Sequence, residues 1–294
     1  MTRRDCLSTL VLATAAHAKG NKYAPILTGQ AYVWQQVLGR EKRTIAEGTE
    51  DVMASLAAAG YQRLELTSSF FPPELTERSL RLMEKHKLKL DIIYNGGVMH
   101  EAAGAGQTIR DTMALARRLK PAGIQAVNFN ANPKPKRERK TDAELDIQTK
   151  AIAELGRQIR AEGLRLTVHQ HAPELAENGR EWRHMMNGTD PKQVEICLDV
   201  HWILRGGLDP MTMLMESMPR LASLHLRNSK NGVWLEDLAD GEVDYRAVAA
   251  ELRKNAFRGW LVVELALEPQ TIVTRNVTES LRISREYAKK VFLS

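Results

Sequence analysis

The chain has 294 residues, of which 43% are hydrophobic and 27% are charged. These proportions are typical of a soluble globular protein and exclude a disordered chain or a protein with many membrane spans. The formal net charge of +6 is small, and the only dense basic run, at 134–140, lies between two apolar segments and is expected to be a solvated loop. We therefore expect neither a nucleic acid nor a membrane as a partner.

Residues 1–18 have the pattern of a targeting segment. The pair Arg3-Arg4 precedes an apolar run from Cys6 to Ala16, and Ala16-His17-Ala18 has the small-x-small pattern of a cleavage site. The run is too short to span a membrane, which takes about 20 residues. The arrangement resembles a twin-arginine export signal, with Cys6 where that signal usually has Phe, and so predicts a periplasmic or otherwise exported protein. A frayed cytoplasmic N-terminus is the alternative.

Removal of this segment leaves Cys197 as the one remaining cysteine of the predicted mature domain, residues 19–294. A disulfide framework and a multi-cysteine metal site both need at least two thiols, so both are excluded.

From Ile26 onward, short apolar runs alternate with stretches of helical periodicity. Eight strands are predicted: Ile26–Val33, Arg63–Thr67, Leu88–Tyr94, Ile124–Asn128, Leu164–His169, Val194–Val200, Leu221–Leu226 and Trp260–Leu265. The predicted helices are Glu50–Ala59, Pro73–Lys85, Ile109–Leu119, Asp142–Glu162, Pro210–Met218, Tyr245–Asn255 and Asn276–Phe292. Four glycines between a helix and the next strand are expected to be left-handed helix caps: Gly60, Gly123, Gly163 and Gly259.

Eight such units in one domain predict an α/β fold, a closed (β/α)8 TIM barrel. An open doubly wound sheet is the alternative. That fold usually has a glycine-rich phosphate turn after its first strand, and no such turn follows Gln30.

Polar residues occupy the ends of the predicted strands, where the active sites of such barrels lie. Glu65 stands between two leucines in the second strand. Alternation in the fifth strand places Thr167, His169 and His171 on one face, and a His-x-His pair at strand spacing is a moderate indication of a metal site. The later strands end with two polar pairs and one single acid: Asp199 with His201, His225 with Arg227, and Glu264 alone.

One strand-five histidine, Asp199, His225 and Glu264 come from four consecutive strands and would surround one side of the barrel mouth. Two imidazole nitrogens with carboxylate oxygens suit Mn²⁺, Co²⁺, Zn²⁺ or Mg²⁺. We therefore predict a divalent metal cofactor. Each residue alone also has a structural interpretation, such as a buried acid paired with Arg227.

These residues resemble the xylose-isomerase-like barrel superfamily, often described as sugar phosphate isomerases and epimerases, over residues 26–292. The matching segments are Gly60–Glu65, Val168–His171, Leu198–Trp202, Leu224–Arg227, Gly241–Tyr245 and Gly259–Glu264. The resemblance implies metal ligation by Asp199, His225 and Glu264. Many family members have Glu where this chain has His169, so the resemblance gives the fourth ligand role to His169 and a substrate or proton role to His171.

The resemblance also implies the chemistry: the metal chelates a ketone and a neighbouring hydroxyl and stabilises the enediolate formed when a base removes the proton between them. The leading hypothesis is a sugar isomerase or epimerase acting on a keto-sugar. A lyase or hydratase of 3-keto-glycosides or keto-cyclitols is almost equally favoured. A non-catalytic sugar-binding barrel and an abasic-site endonuclease of the same fold are less favoured, the latter because it needs a larger metal cluster.

Catalytic and substrate-binding roles are assigned in the same way. Glu264 is the expected catalytic carboxylate, and the second catalytic group is expected among Glu65, His171 and Glu174. Export disfavours phosphorylated substrates, so the expected partner is a small unphosphorylated carbohydrate. The expected substrate contacts are Arg227, Trp202 (or Trp34), His201, Glu174 and Lys140. Replacement of the family's Lys-Asp by Arg227-Asn228 leaves the support of His225 open.

Overall fold

The computed structural model describes residues 22–294, and the predicted targeting segment lies outside this range. Eight parallel strands form a closed barrel in which the last strand, β10, pairs with β1. The barrel strands are β1 (Ile26–Gln30), β2 (Arg63–Thr67), β3 (Lys89–Gly97), β4 (Ala126–Ala131), β5 (Arg165–Val168), β6 (Val194–Asp199), β7 (Leu221–Leu226) and β10 (Trp260–Val263). A short antiparallel hairpin, β8 (Ser229–Lys230) and β9 (Val233–Trp234), follows β7. The predicted TIM barrel is therefore confirmed.

Helices alternate with the strands and cover the outside of the barrel. They are α1 (Tyr32–Arg40), α2 (Ile45–Ala58), α3 (Pro73–Lys85), α4 (Ala102–Leu119), α5 (Asp142–Ala161), α6 (Ala172–Gly188), α7 (Val200–Arg205), α8 (Pro210–Ser217), α9 (Tyr245–Lys254) and α10 (Val277–Ala288), the last continuing into a π-helical turn at Lys289–Leu293. Capping boxes begin α2 at Thr44 and α5 at Thr141. None of the helices within 22–294 is both long and apolar enough to cross a lipid bilayer.

The strand register brings the chemically active positions together at one end of the barrel. Asp199 is paired with His225 between β6 and β7. Val263 is paired with Leu226 between β10 and β7, so Glu264 follows at the level of Arg227. Parallel pairing thus aligns residues that are far apart in sequence, because the carboxyl ends of all eight strands meet at the same rim.

Two strands are shorter than predicted because helices begin at their ends. The first strand stops at Gln30 instead of Val33, and α1 buries Val33 and Leu38 on one face. The sixth stops at Asp199, whose side chain accepts a hydrogen bond from the Trp202 backbone N–H and so caps α7. Helix α6 was not predicted.

Three of the four predicted glycine caps are confirmed, since Gly60, Gly123 and Gly163 have φ values of 89°, 89° and 76°. The prediction for Gly259 is wrong. The left-handed residue after α9 is Ala256, with φ of 51°. Gly259 serves another purpose, because a Cβ there would lie 1.9 Å from the backbone oxygen of Ala222.

Candidate active site

Four side chains meet in a buried cluster at the carboxyl end of the barrel: His169, Asp199, His225 and Glu264. One donor atom from each lies within 4.8 Å of the donor atoms of the other three. Nε2 of His169 is 3.6 Å from Oδ2 of Asp199, and Nδ1 of His225 is 3.0 Å from Oε2 of Glu264. We refer to these residues as the four-residue cluster, and the structure places them together as the sequence predicts.

The donor set fits a divalent metal ion. Neither ring nitrogen of His169 has a hydrogen-bond partner, although the residue is buried. Burial lowers the pKa of His169, which outweighs the opposing effect of Asp199, so the ring stays neutral and keeps a lone pair free. A buried imidazole without a hydrogen-bond partner costs folding free energy. Such an imidazole beside a carboxylate is expected where the ring nitrogen binds a metal ion. Two nitrogens and two carboxylates suit Mn²⁺, Co²⁺ or Zn²⁺.

Each carboxylate of the cluster has one oxygen bonded to Trp202 or Gln30 and a second oxygen that faces a histidine of the cluster. Oδ1 of Asp199 accepts from the Trp202 backbone N–H at 2.8 Å, and Oε1 of Glu264 accepts from Nε2 of Gln30 at 3.4 Å. Burial by itself would raise both carboxyl pKa values, but Arg227 and the neighbouring histidines outweigh it and lower them, so both groups are ionised.

The guanidinium of Arg227 contacts both carboxylates. Its Nη2 lies 2.5 Å from Oδ2 of Asp199 and 2.8 Å from Oε2 of Glu264. The same guanidinium lies over two indole rings, with its carbon 5.2 Å from the centroid of Trp202 and 5.1 Å from that of Trp234. The two rings are nearly perpendicular to each other, and we call them the tryptophan corner.

A second buried layer lies beneath the cluster and supports His225. Oε1 of Glu65 is 2.9 Å from Nε2 of His225, on the side of the ring opposite to Glu264. The side-chain amide of Asn128 joins the two, with Nδ2 at 3.1 Å from Glu65 Oε2 and 3.3 Å from His225 Nε2. Burial would lower the pKa of His225, but Cys197, Glu65 and Glu264 together raise it well above its usual value.

A cavity of about 500 Å³ opens above the cluster. Its lining is polar and aromatic: Gln30, Tyr32, Gln35, Thr67, Ser68, Ser69, Tyr94, Asn95, Gly96, Asn132, His171, Trp202, Arg227, Trp234 and Glu264. Arg227 is the one basic side chain other than histidine in this lining, and it is already paired with two acids. Burial, followed by the nearby His169, lowers the pKa of His171 to about 3, so that ring is neutral at ordinary pH.

Four of the residues predicted to meet substrate or reacting atoms line this cavity: His171, Trp202, Arg227 and Glu264. Glu65, which was predicted as a possible catalytic group, lies outside the lining, against His225 and fully buried. Glu65 is therefore placed to orient His225, a candidate metal ligand, and does not contact the cavity.

The other predicted contacts lie away from the cavity. Lys140, in the loop between β4 and α5, is buried, pairs with Glu181 at 2.6 Å and lines a separate cavity. Glu174 accepts a hydrogen bond from the His171 backbone N–H at 2.8 Å and faces a separate internal space between the barrel wall and α6. The structure gives no support for a substrate role of either side chain.

His201 and Trp34 are also outside the lining. The prediction that His201 shares a strand face with Asp199 is wrong, because the chain turns into α7 directly after Asp199. Nε2 of His201 instead hydrogen-bonds to the Ser229 hydroxyl at 2.7 Å. Trp34 donates to the Ser55 hydroxyl at 3.0 Å, between α1 and α2.

Several lining residues were missed by the sequence analysis. Tyr94 ends a predicted strand, so its position at a strand end was a usable indication. Gln30 lies inside the predicted first strand and ends only the observed one. Trp234 lies on the β8–β9 hairpin, and no pattern in the sequence placed that hairpin over the barrel mouth.

Asn228, the second residue of the Arg227-Asn228 pair, has a structural role in this chain. Its side-chain oxygen accepts from the backbone N–H groups of Ser229 and Val243, and its amide donates to the carbonyls of Ala239 and Val243. Asn228 therefore fixes the loop after the hairpin. The support of His225 comes from Glu65 and Asn128 instead.

The closed parallel barrel and the buried His/Asp/His/Glu cluster at its carboxyl end place this chain among TIM barrels with a candidate metal centre. Residues 53–287 match the family described as xylose isomerase-like TIM barrel. The chain belongs to this family.

Known proteins of similar sequence and structure agree with this fold. An inosose dehydratase of Bacillus licheniformis is 25% identical over 272 residues, covering 83% of this chain and 89% of that protein. A sugar phosphate isomerase/epimerase from Parabacteroides distasonis superposes with a TM-score of 0.70 at 18% identity, covering 90% of this chain and 98% of that one. D-allulose 3-epimerase from Methylomonas sp., in complex with D-allulose, superposes with a TM-score of 0.70 at 15% identity, covering 94% and 100%.

Proposed function

We propose that this protein is a divalent-metal-dependent isomerase or epimerase that enolises an unphosphorylated keto-sugar. The observation that carries the proposal is a four-residue cluster that reaches a polar and aromatic cavity through Glu264. A bound divalent cation would polarise a substrate carbonyl and make the neighbouring C–H bond more acidic.

The residues of the chain divide the remaining work. Glu264 belongs to the cluster, lines the cavity and carries a carboxylate, the kind of group that accepts a proton in such reactions. The neutral imidazole of His171 lines the same cavity and is the second group suited to accept or donate a proton. Asn95 and Asn132 offer amide groups for sugar hydroxyls.

The charge of the cavity supports an unphosphorylated substrate. Recognition of a phosphate dianion normally uses unpaired Arg or Lys side chains. Arg227 is engaged by Asp199 and Glu264, and the other lining side chains besides Glu264 and His171 carry no ionisable group other than tyrosine hydroxyls. The tryptophan corner supplies an apolar surface of the kind on which a sugar ring stacks.

Elimination is the second candidate, which would make the protein a dehydratase or lyase of 3-keto-glycosides or keto-cyclitols. One carboxylate, Glu264, lines the cavity, whereas the epimerases that the sequence resembles typically use two. The inosose dehydratase relative supports the same alternative. Both candidates begin with the same proton removal, so they share the site and differ in the fate of the enolised substrate.

One experiment tests the shared step and separates the two outcomes. The full chain, loaded with Mn²⁺, is incubated in D₂O with 3-keto-glucosides and with keto-cyclitols, and the products are followed by NMR and mass spectrometry. We expect deuterium at the carbon next to the ketone. Products of unchanged composition apart from deuterium indicate isomerisation or epimerisation, and loss of water or of an aglycone indicates elimination.

The matched controls are Glu264→Gln and Glu77→Gln, the latter on the exposed surface of α3. Exchange should disappear in the first variant and persist in the second. A wild-type protein that binds Mn²⁺ and the sugar without any exchange contradicts the proposal and favours a sugar-binding barrel.

We also propose that residues 1–18 direct the protein out of the cytoplasm. The test is fractionation of cells that express the full chain or the Arg3→Lys/Arg4→Lys variant. Export of the wild type with cytoplasmic retention of the variant is expected, and equal distribution of the two contradicts it.

A further inference from the structure

Arg227 and the two carboxylates of the four-residue cluster share the same oxygen atoms that a metal would use. Nη2 of Arg227 contacts Oδ2 of Asp199 and Oε2 of Glu264. These are also the oxygens that face the imidazole nitrogens, Oδ2 of Asp199 toward His169 and Oε2 of Glu264 toward His225. The guanidinium is therefore bonded to the inward surface of the cluster.

The carboxylates have little freedom to offer other oxygens instead. Oδ1 of Asp199 is held by the backbone N–H of Trp202 at the start of α7, and Oε1 of Glu264 is held by Gln30. A rotation that freed the guanidinium would break these bonds, and the groups are buried, so water would not replace them fully. A bound metal ion and the guanidinium would thus share one pair of oxygens.

Burial makes the repulsion between these cations strong. Arg227 and Asp199 are at most 3% exposed, and Coulomb interactions increase as the surrounding dielectric constant falls. Arginine remains charged under all ordinary conditions, so the repulsion is not relieved by loss of its proton.

We infer that Arg227 is an internal cation that competes with the divalent metal for Asp199 and Glu264 and thereby weakens metal binding. The inference rests on the proposed metal site, and it goes beyond that proposal by assigning control of metal affinity to a residue that is not a ligand. Removal of the positive charge should tighten metal binding.

The guanidinium also has surroundings other than the two carboxylates. Nε of Arg227 has no hydrogen-bond partner, and neither do the indole nitrogens of Trp202 and Trp234. The faces of both indoles lie about 5 Å from the guanidinium and stabilise its positive charge. Arg227 also lines the cavity, where substrate oxygens are expected. Metal loading and substrate recognition are then linked through one side chain.

The test is calorimetric titration of Mn²⁺ into the chelator-treated full chain, comparing wild type with Arg227→Gln, Arg227→Met and Arg227→Lys. The Gln and Met variants remove the charge, while the Lys variant keeps it. We expect the dissociation constant for Mn²⁺ to fall at least tenfold in both neutral variants and to stay within threefold of wild type in the Lys variant.

Thermal unfolding with and without Mn²⁺ covers the case in which a neutral variant is unstable. Loss of Arg227 removes the arginine counter-charge of two buried carboxylates, so the neutral variants should unfold at lower temperature in chelator and gain more from Mn²⁺ than wild type. A neutral variant that folds only with Mn²⁺ supports the inference in the same way. In wild type, the side-chain Nε–H resonance of Arg227, assigned by its absence in Arg227→Lys, should shift on addition of diamagnetic Zn²⁺.

The failures of the two proposals can be told apart. If wild type binds Mn²⁺ and the neutral variants bind it equally or more weakly, Arg227 supports the ligands and competition is overturned, while the metal site stands. An Arg227 resonance that does not change on Zn²⁺ binding also overturns the inference. If neither wild type nor any variant binds a divalent ion, the proposed function itself fails.

Discussion

Glu65 lies directly behind His225, with its Oε1 2.9 Å from Nε2 while Nδ1 of the same ring faces Glu264 at 3.0 Å. The imidazole is thus held between two acids that come from opposite ends of the chain. A carboxylate on the far nitrogen fixes the ring and makes the near nitrogen a better ligand, which is the arrangement found around many metal-binding histidines.

This relationship predicts that a change at Glu65 weakens metal binding although all four residues of the cluster are kept. Replacement of Glu65 by Gln should weaken Mn²⁺ binding by about 10- to 100-fold, because the imidazole loses its charged partner. Calorimetric titration measures the change, and Glu77→Gln on the exposed face of α3 is the control. Unchanged affinity in the Glu65 variant would show that Asn128 alone positions the ring.

Replacement of His169 and replacement of His171 should have different effects on metal content and turnover. His169 belongs to the four-residue cluster, whereas His171 lines the cavity. His169→Ala should therefore abolish stoichiometric metal, and His171→Ala should keep metal but lose turnover. Metal content by mass spectrometry of the purified full chain, together with the D₂O exchange assay, measures both. The opposite pattern would assign the ligand role to His171.

Stability should depend on pH through Glu174. Burial, and then the nearby Glu181, raises the pKa of Glu174 from its usual 4.5 to about 7. The folded protein therefore holds a proton that the unfolded chain releases, so this stabilisation is complete below pH 4.5 and is lost as pH rises through 7. The full difference is on the order of 3 kcal/mol.

Glu174→Gln tests this sign. The variant keeps an acceptor for the His171 backbone N–H but has no proton to lose. The stability of the variant relative to wild type, measured as the difference in the free energy of unfolding in urea, should therefore be greater at pH 8 than at pH 5. A difference between variant and wild type that is the same at both pH values would contradict the ionisation of Glu174.

Two glycines provide a matched test of the backbone. A Cβ on Gly259 would meet the Ala222 carbonyl oxygen at 1.9 Å, whereas nothing lies within 4 Å of a Cβ on Gly39 in α1. Gly259→Ala should destabilise the fold by about 2 kcal/mol or more, since β10 has to move away from β7. Gly39→Ala should instead stabilise it by roughly 0.5–1 kcal/mol. Chemical denaturation measures both, and equal effects would refute the close approach at Gly259.

The local patterns of the sequence were sufficient to predict the barrel and most of the cluster. Apolar runs of strand length, helical periodicity and glycine caps depend on neighbouring residues, so a single sequence reveals them. Asp199, His225 and Glu264 were found for the same reason, because a polar residue at the end of an apolar strand points to one end of a parallel barrel.

What depends on contacts between distant segments was decided only by the tertiary structure. Glu65 and His225 are separated by most of the barrel in sequence, and only closure of the sheet places one behind the other. The hairpin that carries Trp234 and the turn of α6 that directs Glu174 away from the cavity are likewise set by packing. The sequence by itself therefore determined the candidate residues at the strand ends. The fold decided which of them face the cavity, since side-chain direction depends on neighbours that are remote along the chain.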